Sequence, residues 1–360
     1  MRTLLTLHRW VGAVFGLALS LFGLSGALLV WKNQWLRWTL TDEAGIPARG
    51  VESLTRIVKR ALQESNGEAN YIVFSSPELA VNLVSTGRHT GFYSDNLGNV
   101  ITHWASRLER LELWLFDLHH DLLLGPNGTT LGGLLALLGL FFTLSGLFLW
   151  WRTRRHFSWR LWPTSFSRRD LARHHRNLGA LFAPLLIVVM LTGLMMAWRP
   201  VALWVLSPFS SVDEMQAAVA PPAVSGSDFA DIDWANIITR AQQAFPDASL
   251  RLISIPQATG DLVGLRMKQP EEWLPNGRTL LWFDPQTGDL IESKDALTMP
   301  LGVRVNNLVY PVHAAKVGGI VYQLIMTLVG LVLTMLGSLV VVKFWMDRHR
   351  INRISVPPRI

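Results

Sequence analysis

Four stretches of the sequence are apolar for more than twenty residues each and contain no Asp, Glu, Lys or Arg: residues 11–31, 131–151, 178–198 and 320–342. A helix needs about 20 apolar residues to cross the hydrocarbon core of a bilayer. Of the 360 residues, 50% are hydrophobic and only 16% are charged, which is too apolar for an ordinary soluble domain. The sequence therefore predicts a helical membrane protein with four spans.

The basic residues predict the orientation, because Lys and Arg near span ends are retained on the cytoplasmic side. The stretch from Arg152 to Arg176, between the second and third spans, carries eight arginines against Asp170 alone, and both termini are basic. We expect the connector and both termini in the cytoplasm of a bacterium, and the two long loops in the periplasm. The net charge of +7 reflects this topology, so we expect no nucleic-acid partner.

The two halves of the chain repeat one plan. His8 stands eighteen residues before Gly26, and His175 stands eighteen before Gly193. In each long loop a helical pattern precedes strand-like pieces and a turn. We predict a four-helix transmembrane bundle with two small α+β domains, related by internal duplication. The expected segments are span 1 (1–31), domain 1 (32–118), span 2 with its outer lip (119–151), connector (152–173), span 3 (174–198), domain 2 (199–312), span 4 (313–345) and tail (346–360).

Histidines recur at the ends of these spans. The inner ends of spans one and three carry His8 and either His174 or His175, and the outer ends of spans two and four carry either His119 or His120 and His313. Imidazole is a common axial ligand of haem iron, and facing helices of a bundle build cofactor sites from inward side chains. Two histidines in each leaflet are what two b-type haems require. The sequence thus predicts two haem b groups, each held by two histidines.

Several neighbours support this interpretation. Gly12 and Gly179 each follow an inner histidine by four residues, which leaves room for a flat macrocycle on the same helix face. Arg9 and Arg176 on the inner side, and Lys316 or Arg304 on the outer side, are candidates to neutralise haem propionates. Adjacent helical residues point about 100° apart, so one member of each doublet can face the interior. Alignment with His8 favours His175 over His174.

Zinc fits the pattern less well, because the histidines have no i, i+4 pairing and few carboxylates at ligand spacing. The chain has no cysteine, which excludes disulfides, thiolate zinc sites and iron–sulfur clusters. It also has no dinucleotide or phosphate-loop motif, so an electron donor must be a separate reductase or a quinol in the bilayer.

These motifs together resemble the PepSY-associated transmembrane family over nearly the whole chain. The resemblance is carried by His8-Arg9-Trp10-Val11-Gly12, Leu118-His119-His120-Asp121-Leu122-Leu123-Leu124-Gly125, His174-His175-Arg176-Asn177-Leu178-Gly179, Pro311-Val312-His313 and the turn Phe283-Asp284-Pro285-Gln286-Thr287-Gly288. It implies haem in the bundle, two PepSY-like domains outside, and the reduction of ferric siderophores in the periplasm. The family motif resembles Leu-His-Arg, which places the shared histidine on His119. The first-loop turn at Asp95 lacks the proline and threonine of the second.

The resulting hypothesis is an inner-membrane di-haem b electron conduit, an oxidoreductase of iron uptake that reduces siderophore-bound ferric iron. Its ligands are His8 with His175 and His119 with His313, and its partners are the siderophore, the lipid bilayer and an electron donor. Two alternatives remain open. One is a haem-free, membrane-anchored PepSY module that senses or regulates a partner. The other is a siderophore permease, although the spans lack the buried charges that transport pathways usually carry.

Overall fold

A computed structural model describes residues 2–40, 50–163, 165, 167–227 and 231–354 of the chain, and it describes no side chain at 343 or from 346 onward. The predicted tail (346–360) therefore lies largely outside the described residues, apart from the backbone of its first part, which is helical. The described chain divides into two compact units. We call them the helical unit (Met1–Val30, Leu115–Val201 and His313–Ile360) and the sheet unit (Trp31–Trp114 and Ala202–Val312).

In each long loop helices precede the strands, as the sequence patterns predicted. The helices are α1 (Arg2–Val30), α2 (Lys32–Leu40), α3 (Val51–Glu64), α4 (Leu111–Asp121), α5 (Pro126–Trp151), α6 (Arg168–Ala197), α7 (Arg199–Leu206), α8 (Val212–Ala217), α9 (Trp234–Ala244), α10 (Leu301–His313) and α11 (Gly319–Ile354), with 3₁₀ turns at Arg107–Glu109 and Arg154–His156. The strands are β1 (Tyr71–Val73), β2 (Asn82–Ser85), β3 (Gly91–Ser94), β4 (Val100–Trp104), β5 (Ser249–Ser254), β6 (Val263–Lys268), β7 (Thr279–Phe283) and β8 (Leu290–Lys294).

Within the described residues, four helices are long and apolar enough to cross a membrane, which confirms the prediction of a helical membrane protein. They are α1, α5, α6 and the part Gly319–Val342 of α11. In the helical unit α1 packs along α11 and α5 along α6. Glycines allow α1 and α11 to approach closely, since a Cβ on Gly23 would lie 2.6 Å from the carbonyl oxygen of Gly330. Ser20 and Thr334 add hydrogen bonds across the same contact.

The span boundaries differ from the prediction at three places. The second and fourth spans begin at Pro126 and Gly319, so the histidines expected at their outer ends belong to the preceding helices α4 and α10. Pro at the first helical position and Gly125 at positive φ explain the new start of α5. The third helix begins within the predicted connector, because the Ser167 side chain accepts a hydrogen bond from the backbone N–H of Asp170 and caps it.

The sheet unit differs from the expected pair of separate domains. Its eight strands form one antiparallel sheet in the order β4-β3-β2-β1-β5-β6-β7-β8, so the strands of the two loops meet where β1 pairs with β5. That pairing satisfies the backbone groups that two separate four-stranded sheets would each expose at an edge. A single apolar core joins the sheet to α3 and α9, with Ile57, Ile72, Ile237 and Ile253 fully buried.

In each of the two turns noted in the sequence, an aspartate side chain accepts hydrogen bonds from backbone N–H groups. Asp284 accepts hydrogen bonds from the backbone N–H groups of Ser227, Gln286 and Thr287. Burial raises the pKa of Asp284, but these hydrogen bonds outweigh it and lower the pKa to about 2. Asp95 accepts from the N–H groups of Leu97 and Asn99 in the same way. The side-chain oxygen can therefore hold the turn without the proline.

Candidate functional site

The first candidate site is the pair His119 and His313, which lie in the last turns of α4 and α10. Their ring centroids lie 6.2 Å apart at an interplanar angle of 49°. Two imidazole nitrogens on opposite sides of one metal ion, each about 2.0–2.1 Å from it, place the ring centroids about 6 Å apart. The spacing of the His119–His313 pair therefore suits two axial ligands of one metal.

Hydroxyl groups hold both rings of this pair in the same way. The Nδ1 atom of His119 lies 3.0 Å from Oγ of Ser25, and Nδ1 of His313 lies 3.0 Å from Oγ1 of Thr192. Ser25 and Thr192 are the hydroxyl residues that precede the repeated glycines, so the two halves of the chain use corresponding residues for this contact.

The hydroxyls also decide which nitrogen carries the proton. Each hydroxyl has one hydrogen and gives it to a carbonyl one turn earlier, Ser25 to Leu21 at 2.7 Å and Thr192 to Val188 at 2.7 Å. Each must then accept from the histidine, so Nδ1 bears the hydrogen and Nε2 bears the lone pair. This is the tautomer that binds a metal through Nε2.

The glycines that follow these hydroxyls make room for the rings. A Cβ on Gly26 would lie 2.9 Å from Cε1 of His119, and a Cβ on Gly193 would lie 3.1 Å from Cε1 of His313. Both distances are shorter than ordinary van der Waals contact. Side chains at 26 and 193 would therefore displace the histidines.

The second candidate site is the pair His8 and His175, on α1 and α6. Their ring centroids lie 6.3 Å apart at 78°. The Nδ1 atom of His8 lies 2.9 Å from Oγ of Ser145, whose bond to the carbonyl of Phe142 is longer, at 3.3 Å. Along α1, His8 and Ser25 are about 25 Å apart at 1.5 Å per residue, so the two pairs occupy opposite ends of the helical unit.

The other members of the two doublets face elsewhere. His174 is buried, and its Nδ1 contacts the carbonyl oxygen of Leu161 in the connector. His120 is exposed and stacks on Phe116, with ring centroids 5.4 Å apart. The structure thus brings His175 and His119 to partner histidines, and places His174 and His120 in other contacts.

The supporting residues that the sequence predicted are two glycines and several basic residues. A Cβ on Gly12 or Gly179 would meet only ordinary contacts, at 3.5 Å from Val340 and 3.9 Å from Leu336. Arg9 and Arg304 are exposed. Arg176 donates to the carbonyl oxygen of His156, at 2.9 Å, so this guanidinium holds the connector.

Sequence reasoning missed the hydroxyl partners of the histidines. Ser25 and Thr192 occupy corresponding positions in the two halves of the sequence, but that repetition did not indicate a role. No sequence pattern pointed to Ser145, because only helix packing shows which residue faces His8. Phe142, whose ring lies 5.4 Å from that of His8, was missed for the same reason. Within the described part of the chain, no group of three or more His, Asp or Glu residues is arranged to hold a metal ion. Each site offers a pair of histidines.

Comparison with known proteins bears on these pairs. Residues 5–348 match the family described as PepSY-associated TM region. The match includes both histidine pairs, all four membrane-crossing helices and every strand of the sheet unit. A search of curated proteins found no significant match.

Proposed function

The chain belongs to the PepSY-associated transmembrane family, and on that premise we propose that it is a di-haem b electron conduit that reduces siderophore-bound ferric iron in the periplasm. The observation that carries the proposal is the presence of two histidine pairs, with ring centroids 6.2 and 6.3 Å apart, at opposite ends of one helical unit. A conduit across a bilayer needs a redox centre near each surface.

The residues fit haem on three grounds. Each pair supplies two imidazoles, which is the number a haem iron takes beyond its four porphyrin nitrogens. In the His119–His313 pair the hydroxyl contacts at Nδ1 favour the tautomer that keeps the lone pair on Nε2, the form that binds a metal. Gly26 and Gly193 leave these rings the space that a Cβ would fill. Bound haem would supply a one-electron ferric/ferrous couple, and His8, His175, His119 and His313 would hold it.

The side chains around the pairs keep the rings in position. Ser25 and Thr192 fix the rotation of His119 and His313, and Ser145 fixes that of His8. A histidine that donates from Nδ1 is a more basic ligand through Nε2, so these hydroxyls also affect the electron density on a bound metal. Ring positions set before binding lower the reorganisation that a change of redox state requires.

The chemistry at the substrate is a one-electron step. Siderophore-bound Fe(III) gains one electron and becomes Fe(II). A quinol, which loses two electrons and two protons to become a quinone, would reduce two such ions in turn, and a cytoplasmic reductase would supply one electron for each ion. The hard oxygen donors of a siderophore prefer Fe(III), so the reduced ion is released. The arginines of the connector support an orientation with the His8–His175 pair on the cytoplasmic side, where the donor would act.

Optical spectroscopy of the purified full-length protein tests the proposal. We expect a Soret band, a sharp α-band after reduction and about two haems per chain. Under anaerobic conditions, addition of a ferric siderophore should reoxidise the reduced protein and yield Fe(II) that a ferrous chelator traps. A colourless protein would overturn the proposal and favour the haem-free binding module. A coloured protein that no ferric siderophore reoxidises would support the haem part of the proposal and refute the siderophore as its substrate.

A further inference from the structure

Two arginines, Arg266 and Arg278, come close together in the sheet unit. Val263, Leu265 and Met267 of β6 are buried in the core, so Arg266 projects from the opposite face. Arg266 pairs with Leu280 of β7, and Arg278 lies directly before β7, two residues before Leu280. The two arginines are therefore diagonal neighbours at the start of β7, near enough for the charge of Arg266 to act on Arg278.

The hydrogen bonds of these arginines leave most of their donors unused. Arg278 donates from Nε to Oδ1 of Asn307 at 3.3 Å. The nearest carboxylate, Glu272, accepts from the backbone N–H of Arg278 and from the hydroxyl of Thr279. The guanidinium of Arg266 makes no hydrogen bond to the described part of the chain.

The pair is electrostatically unfavourable as it stands. Burial lowers the pKa of Arg266, and burial followed by the charge of Arg266 lowers the pKa of Arg278, against a smaller opposing effect of Glu272. Both groups stay charged at neutral pH, since arginine is not deprotonated in proteins. Half-buried charges are normally paired, and these two repel each other. An oxyanion between them would remove the repulsion and use the free N–H groups.

We propose that Arg266 and Arg278 together bind an oxyanion of an anionic ferric chelate, a carboxylate or a catecholate oxygen. The planar fork of each guanidinium matches such oxygens in a bidentate manner. Asn307, which orients Arg278, lies on α10, the helix that ends at His313. The assignment rests on the proposed function and restricts its substrates, because it favours siderophores with net negative charge over neutral trihydroxamates.

Binding of redox-inert gallium(III) chelates to the full-length protein tests this assignment without electron transfer. The probes are a gallium tricatecholate, which is anionic, and a gallium trihydroxamate without net negative charge, each titrated by calorimetry in lipid-free detergent. We expect Arg266→Gln and Arg278→Gln to weaken tricatecholate binding about 10- to 100-fold and to leave trihydroxamate binding unchanged. Arg240→Gln is the matched control, because Arg240 is already paired with Asp289 at 2.7 Å. This variant should bind both probes as the wild type does.

Stability and haem content separate the remaining explanations. Arg266→Gln removes a repulsion, so the thermal midpoint of the ligand-free protein should stay the same or rise; a large fall would indicate a structural role and overturn the proposal. Loss of haem from Arg266→Gln would assign the oxyanion to the cofactor, and competition by phosphatidylglycerol would assign it to lipid. Either result, or no binding of tricatecholate by the wild type, would overturn the proposal. A colourless protein that still binds tricatecholate through Arg266 would refute the proposed function alone.

Discussion

The two histidine pairs have nearly the same spacing and are held in different ways. In the His119–His313 pair, each ring contacts a hydroxyl at 3.0 Å and lies over a glycine. In the His8–His175 pair, His8 contacts the hydroxyl of Ser145, and His174, the residue before His175, contacts the connector at Leu161. Both rings of the His119–His313 pair thus have the same kinds of contact. The His8–His175 pair lies next to a contact between His174 and the connector. We therefore expect the His8–His175 pair to be the more adjustable one.

The largest effect should follow from removal of a ligand. His119→Ala or His313→Ala should lower the haem content from about two to about one per chain and remove one set of spectral bands, since an axial bond is lost. His8→Ala or His175→Ala should remove the other set. Haem extraction and low-temperature spectra measure both. His120→Ala is the control and should retain two haems; loss of haem in that variant would reassign the ligand.

A smaller effect should follow from removal of the hydroxyls. Ser25→Ala and Thr192→Val remove the hydroxyl that accepts from Nδ1–H and leave a less basic ligand. Haem affinity at the His119–His313 pair should fall about 10- to 100-fold in each variant, and the midpoint potential should rise. Transfer of haem to apomyoglobin and redox titration measure the two quantities.

Ser145→Ala sharpens the contrast between the pairs. Because Ser145 supports one ring of the His8–His175 pair, its removal should change the haem affinity less than Ser25→Ala does. Equal effects of Ser145→Ala and Ser25→Ala would show that the two pairs are held alike.

Alanine substitutions of two glycines on α1 should differ in their effect on stability, because only one of these glycines is closely packed. Alanine is favoured over glycine in a helix by about 1 kcal/mol, so Gly12→Ala, which meets only contacts of 3.5 Å or more, should not lower stability. Gly26→Ala places a methyl group 2.9 Å from His119 and should destabilise the protein by about 1–3 kcal/mol. Chemical unfolding in detergent measures both. Loss of haem in Gly12→Ala would show that the macrocycle lies against this residue.

The smallest effect on haem should come from His174. His174→Ala removes the contact with Leu161, so the connector should become more accessible while both haems remain. Limited trypsin digestion after Arg154, Arg155 or Arg160 should be faster than in the wild type. An unchanged digestion rate together with loss of haem would make His174 a ligand and contradict its placement.

Much of the fold could be predicted from local patterns. Uncharged apolar runs long enough to span a bilayer predicted all four membrane-crossing helices, because burial of so many apolar side chains leaves few alternatives. In each long loop the sequence pattern also predicted a helix before strand-like pieces, and the structure has this order. The helix ends were less predictable, since Ser167 and Pro126 act through capping geometry that a hydropathy pattern does not contain.

The sequence by itself determined the membrane-crossing helices, the family, and the set of histidines from which two pairs could be chosen. Only the tertiary structure decided that one sheet joins both loops through β1 and β5, because strand pairing between distant segments leaves no local signal. The repeat and the family resemblance favoured His175 and His119 over their neighbours, and the tertiary structure decided how they face their partner histidines and that Ser25, Thr192 and Ser145 contact these rings. Those contacts depend on the rotation of each helix about its axis, which is set by packing across the whole unit.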